Sequence, residues 1–138
     1  MIRYSALFGI VFASLAITAL AASPRDGMLS ALALQAKQAN PGFSGFSAER
    51  GKAFFLAKQT GGKPDTPSCT SCHTDSIKKT GQTRAGKEIA PLAVSVEPTR
   101  FTDSEKVDLW FKRNCNSVLG RACTPLEKGD FLAFAVSQ

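Results

Sequence analysis

The sequence predicts a single all-α domain. Three observations carry this. Thr102-Asp103-Ser104-Glu105 and Thr124-Pro125-Leu126-Glu127 both read as capping boxes that open helices. Apolar residues recur at helical spacing behind them. No stretch alternates apolar and polar residues as a half-buried strand does. A chain of 138 residues, 43% hydrophobic and 20% charged, has the composition of one ordinary globular domain and leaves no room for a multidomain enzyme. It carries no internal repeat and no low-complexity tract.

Taken in order, the elements begin with an export signal. Arg3 and Tyr4 precede an apolar stretch from Ala6 to Leu20, and Ala19-Leu20-Ala21 has the small-x-small pattern that a signal peptidase reads. Residues 1–21 are therefore expected to direct export and to be cleaved near Ala21, which places the mature protein in the periplasm. A transmembrane anchor is the rival reading, but the stretch is short for a bilayer span, so membrane contact is expected only through the uncleaved signal. The mature domain is then 22–138, of which 22–46 is an N-terminal helical extension. Its helix should run from Asp26 to about Asn40 and stop at Pro41-Gly42. A second helix is expected from Ser47 to about Gln59, with Gly51, Phe54 and Phe55 on one face. Gly61-Gly62-Lys63-Pro64 reads as a turn, and Ser76 to Gly86 as polar loop. The Thr102 box should start a helix ending near Arg113 or Asn114. The Thr124 box starts the last one, whose half from Phe131 to Val136 is apolar nearly all round and should be covered.

The four cysteines of the mature segment form two pairs. Cys69-Thr70-Ser71-Cys72-His73 is the C-x-x-C-H signal for covalent attachment of haem c. Two thiols three residues apart can each add to a haem vinyl group, and the next residue's imidazole then lies beneath the iron. Zinc would need Cys115 and Cys123 as further ligands and would leave His73 over; a thioredoxin-like redox pair would need a βαβ pattern that is absent. His73 is the sole histidine, and its place directly after Cys72 makes it the expected proximal iron ligand. Its Nδ1 proton then needs an acceptor, and the Ala90-Pro91-Leu92 stretch resembles the segment that offers a backbone carbonyl in small cytochromes c. The motif implies a small class I-like cytochrome c fold, helices around one covalently attached haem, in which the helix carrying Gly51 crosses the last helix near Phe131 to Phe134. In an exported chain, Cys115 and Cys123 are expected to form a disulfide.

The sixth iron position is defined by absences. The only methionines are Met1 and Met28, the latter some forty residues before the attachment motif, and there is no second histidine. The two usual distal ligands of electron-transfer cytochromes are thus missing, leaving an unusual donor or an open site. At about 100° per residue, Val107, Trp110, Phe111 and Asn114 share a helix face. Asn114 on that face reads either as a helix C-cap, where asparagine is common, or as a ligand. Asn116, Lys106 and Lys112 are weaker candidates.

Four runs together resemble a known family. They are Lys87-Glu88-Ile89-Ala90-Pro91-Leu92, Arg100-Phe101-Thr102-Asp103, Trp110-Phe111-Lys112-Arg113-Asn114-Cys115 and Val118-Leu119-Gly120-Arg121. Over most of the mature chain they are similar to the oxygen-binding high-spin cytochromes c called sphaeroides haem protein. The resemblance implies that Asn114 is the distal iron ligand, that it leaves the iron on reduction or when an exogenous ligand binds, and that a multihaem or membrane-bound cytochrome is the electron donor. Pro91, in the stretch similar to small cytochromes c, and Trp110 and Phe111, on the face of Asn114, complete the expected haem surroundings. A carboxamide is a weak donor to ferrous iron, so O2, NO or CO should be able to displace it.

The leading expectation is therefore a periplasmic electron-transfer haem protein whose iron also binds small diatomics. An enzyme that reduces or detoxifies O2, NO or hydroxylamine is the second reading, and a haem-based gas or redox sensor the third. No acid-base constellation lies near the motif, which weighs against vigorous oxygen reduction. Arg84, Lys87 and Arg100 are candidates to meet the haem propionates. A net charge of +6 favours acidic partner surfaces, while the scattered Lys and Arg residues exclude a nucleic-acid groove.

Overall fold

Residues 22–138, which the computed structural model describes, contain five helices and one very short hairpin. The expected export segment 1–21 lies outside them. No helix among the described residues is long and apolar enough to cross a membrane.

Capping sets most of the boundaries. α1 spans Pro24–Ala39 and starts two residues before its expected place because Ser23 and Asp26 form a capping box that the sequence reading passed over. α2 spans Ala48–Leu56 behind the Ser47 N-cap. It ends short of Gln59 because Ala57 turns extended and the Gln59 N–H donates to the Pro67 carbonyl at 2.7 Å. α3 is the single turn Thr70–His73, α4 is Ser104–Leu119, and α5 is Pro125–Ser137, opened by the expected Thr124 and Glu127 box. The segment expected to be loop, Ser76 to Gly86, holds β1 Gly81–Gln82, which pairs antiparallel with β2 Glu88–Ile89 just beyond it in a short hairpin. Strands this short have no periodicity to betray them.

α2 crosses α5 through Gly51, as expected. A Cβ at Gly51 would lie 1.9 Å from the Asp130 carbonyl oxygen, so only glycine lets the two backbones meet. The buried Asp130 carboxylate fixes the crossing further: it accepts from the Ser47 N–H at 2.7 Å and from Arg50 Nε and Nη2 at 2.7 and 2.8 Å. Phe55, Leu92, Ala93, Phe131, Phe134 and Ala135 form the main core. Phe131 is its centre, stacked on Phe55 at 6.1 Å and edge-on to Phe101 and Phe111 at 5.9 and 5.8 Å. A smaller cluster joins Cys115, Val118, Leu119 and Cys123. α1 packs on α5 and is stitched to the loop before α4, where Arg25 Nε donates to the Arg100 carbonyl at 2.8 Å.

Candidate haem site

One wall of the site is a single helical turn. The His73 N–H donates to the Cys69 carbonyl at 3.1 Å, closing a turn that puts Cys69, Cys72 and His73 on one side, at positions i, i+3 and i+4. All three line the same cleft, and both cysteines are free thiols. The turn is braced from behind by Gly81, where a Cβ would lie 2.2 Å from the Cys72 carbonyl oxygen, so the hairpin presses backbone on backbone. Burial pushes the Cys69 thiol up to about 11. Burial, and then the positive charge of Arg100, lowers His73 to about 4. The imidazole is therefore neutral at physiological pH, the form that offers a lone pair to a metal.

Arg100 fastens the loop beside this wall. Its Nε donates to the Pro91 carbonyl at 2.7 Å and its guanidinium also to the Ala90 carbonyl. Arg100 thus fixes the Ala90-Pro91-Leu92 stretch expected to offer His73 Nδ1 a carbonyl, and the Pro91 oxygen keeps a second lone pair; Pro91 itself does not line the cleft. Arg84 pairs with Asp65.

The opposite wall is α4. Its N-cap is Asp103, which accepts from the Lys106 N–H at 3.0 Å, rather than Thr102, whose hydroxyl donates to the Thr99 carbonyl at 2.8 Å. The helix runs on to Gly120, which caps it in the left-handed conformation at φ 69°. Asn114 consequently sits well inside the helix and is not a C-cap. It lines the cleft with Phe111, Cys115 and Val118. Trp110 does not: it is 49% exposed, with the Arg113 guanidinium 5.6 Å from its ring centroid. The face that meets the cleft centres near Phe111 and Val118, and at about 100° per residue Trp110 falls well to one side of it. Val118, beyond the expected helix end at Arg113 or Asn114, is what turns the face toward Phe111.

Cys115 and Cys123 form the expected disulfide, with Cα atoms 5.5 Å apart, and both line the cleft. That wall role, and those of Phe54, Thr66, Ser68 and Phe131, went unread, because they come from tertiary approach and not from any local spacing.

The cleft holds about 680 Å³ of space counting its open mouth, and its lining is largely apolar. Among the described residues no group of three or more His, Cys, Asp or Glu side chains is placed to hold a bare metal ion. The disulfide also consumes the two cysteines a zinc site would need. A flat apolar macrocycle suits the cleft instead: two free thiols and a neutral imidazole stand on one wall, and a carboxamide and aliphatic side chains on the other.

Comparison with known proteins decides the lineage. The family described as "domain of unknown function (DUF1924)" matches residues 41–135. The cytochrome c-type protein SHP of Cereibacter sphaeroides is 65% identical over 91 residues, which are 66% of this chain and 70% of that protein. The chain belongs to the sphaeroides haem protein family. It is a monohaem c-type cytochrome, with the Cys69 and Cys72 motif for covalent haem c, and as such extracytoplasmic. The structure of oxidised SHP, described as an oxygen-binding cytochrome c, superposes on this cytochrome with a TM-score of 0.77 at 52% identity, covering 84% of this chain and 98% of that one. Cytochrome c'' of Methylophilus methylotrophus is 34% identical over 134 residues, 96% of this chain and 92% of that protein. Its oxidised crystal structure gives a TM-score of 0.72 at 35% identity over 83% of this chain and 94% of that one. A solution structure of cytochrome c'' is described in terms of haem-ligand detachment.

Proposed function

We propose that this cytochrome is a periplasmic electron-transfer protein whose distal ligand, Asn114, gives way to small diatomic molecules such as O2 and NO. The observation that carries the reading is the pairing across the cleft: His73 and Asn114 both line it, and among the described residues no methionine or second histidine does. Met28, on α1, lines a different groove. Haem c, held by Cys69, Cys72, His73 and Asn114, would supply one-electron exchange and a coordination position.

The chain's own contribution is unequal on the two sides. His73 is neutral, sunk into the protein and carried by a turn that the two attachment cysteines tie down. Asn114 offers a neutral amide dipole at the end of a short side chain, and a rotation about its own bonds removes it from the cleft. The oxygen binding of SHP and the ligand detachment studied in cytochrome c'' agree with such a site. Residues 1–21 act as the export signal in this reading, 22–138 is the working domain, and another cytochrome, multihaem or membrane-bound, supplies electrons to its positively charged surface.

Spectra of the holoprotein test this. The ferrous form should be at least partly high-spin and should take up CO; Asn114→Ala should alter the ferric ligand field while the haem stays covalently bound. A ferrous protein that is fully low-spin and takes up no CO, or an Asn114→Ala variant with unchanged ferric spectra, overturns the reading.

A further inference from the structure

The haem cleft has a neighbour. α1, α4 and α5 enclose a second groove of about 1200 Å³ counting its open mouth. Its walls are mainly apolar: Met28 and Leu32 from α1, Val107 and Phe111 from α4, then Cys123 and Leu132. Polar groups gather at the rim, where Lys128 Nζ donates to Asp108 Oδ1 at 3.1 Å and stands 5.6 Å from the Phe111 ring centroid. Phe111 and Cys123 line both the groove and the haem cleft, so a single layer of side chains divides the two. Asn114 follows Phe111 by three residues on the same side of α4.

We propose that this groove is an apolar holding site and access route for the uncharged diatomic ligand, with the Phe111 ring as its gate. The inference rests on the reading of Asn114 given above. O2, NO and CO are small and apolar, and a cavity walled by aliphatic and aromatic groups offers water few partners while favouring such gases. The Phe111 ring is held edge-on to Phe131 on one side and beneath Lys128 on the other. It opens by turning within that slot while the α4 backbone stays fixed. The Lys128 and Asp108 pair at the mouth is largely solvent-facing on its acidic side, and pairs of this kind are weak, so the rim filters charged solutes without sealing the groove. The Asn114 side would then be reached from the α1 face of the molecule, away from the attachment cysteines.

The test uses the holoprotein and two probes. Xenon under pressure should occupy the groove between Leu32, Val107 and Leu132 in crystals. Ala31→Trp and Leu32→Trp each fill the groove from α1, the wall opposite Phe111 and Asn114. Each should slow bimolecular CO recombination after flash photolysis by about tenfold, with the spectrum of the CO complex unchanged. Either variant suffices if the other folds poorly. Recombination within about twofold of the unaltered protein in the folded variants overturns the route, whether or not xenon binds, and leaves the assignment of Asn114 standing. A ferrous protein that takes up no CO overturns that assignment, and the inference falls with it.

Discussion

The two walls of the haem cleft are built in opposite ways. The wall bearing Cys69, Cys72 and His73 is a four-residue turn with no side-chain cap, too short to be a stable helix by itself. It is held by covalent haem attachment, by the Gly81 contact behind it and by Arg100 on the neighbouring carbonyls. The wall bearing Asn114 is a sixteen-residue helix with a proper cap at each end. It is stapled by a disulfide at Cys115, the residue after Asn114. Fixation of the histidine thus comes from chemistry within five consecutive residues, while placement of the asparagine depends on helical phase over four turns. On the proposed reading, a protein arranged so would keep His73 permanently and hold Asn114 on a side chain free to rotate.

Removing the attachment chemistry should break the contrast most completely. Cys69→Ala together with Cys72→Ala should abolish covalent haem, read as haem fully extractable from the denatured protein; haem still bound to that variant would mean the first wall does not depend on its thiols. The second wall should lose less. Cys115→Ser with Cys123→Ser should cost about 2 to 3 kcal/mol in denaturant unfolding, on the chain-entropy account of a loop this small. Haem attachment should be kept, and an unchanged midpoint would show that the helix caps alone hold the wall.

The two walls also touch. A Cβ at Gly62, in the loop leading to Cys69, would lie 2.3 Å from the Ser117 carbonyl oxygen at the end of α4. Gly62→Ala should therefore cost roughly 1 to 3 kcal/mol by overpacking, and thermal melting of the holoprotein checks it. The smallest effect is electrostatic. The Arg121 hydrogen bond holds Glu127 below its ordinary value of 4.5. A carboxyl depressed by folding stabilises the fold above its unfolded value, and that contribution fades as pH falls through the folded one. Acidification below pH 4.5 should thus loosen the start of α5. For a pair this exposed the loss should stay under about 1 kcal/mol, and it should vanish from the pH profile of Glu127→Gln.

The same contrast explains what the sequence made legible. Cys69, Cys72 and His73 are adjacent on the chain, so spacing alone reveals the attachment site. The Thr124 box and Gly51 are local features with one structural use, and both were readable. Asn114 is legible as a residue on an apolar face, but a helix ending near Arg113 or Asn114 includes Trp110 in that face, and only Val118, in the last turn before Gly120, turns it toward Phe111. Asp103 displaced Thr102 as cap because either side chain can serve and tertiary placement chooses. The buried Asp130 with its Arg50 and Ser47 partners, and the engagement of Pro91 by Arg100, join residues far apart on the chain or across a loop. No spacing encodes them.

The glycine contact between the loop and α4 also governs how the second wall can move. The Lys63 N–H donates to the Ser117 carbonyl at 2.7 Å, and at Gly120 a Cβ would fall 2.0 Å from the Gly61 carbonyl oxygen, so the C-terminal end of α4 is sutured to the strand of chain that enters the attachment motif. Its opposite end, at Asp103, rests on an exposed surface. Asn114, close to that sutured end, is therefore carried on a firmly anchored stretch of helix, and its own side-chain torsions are its readiest means of leaving the cleft.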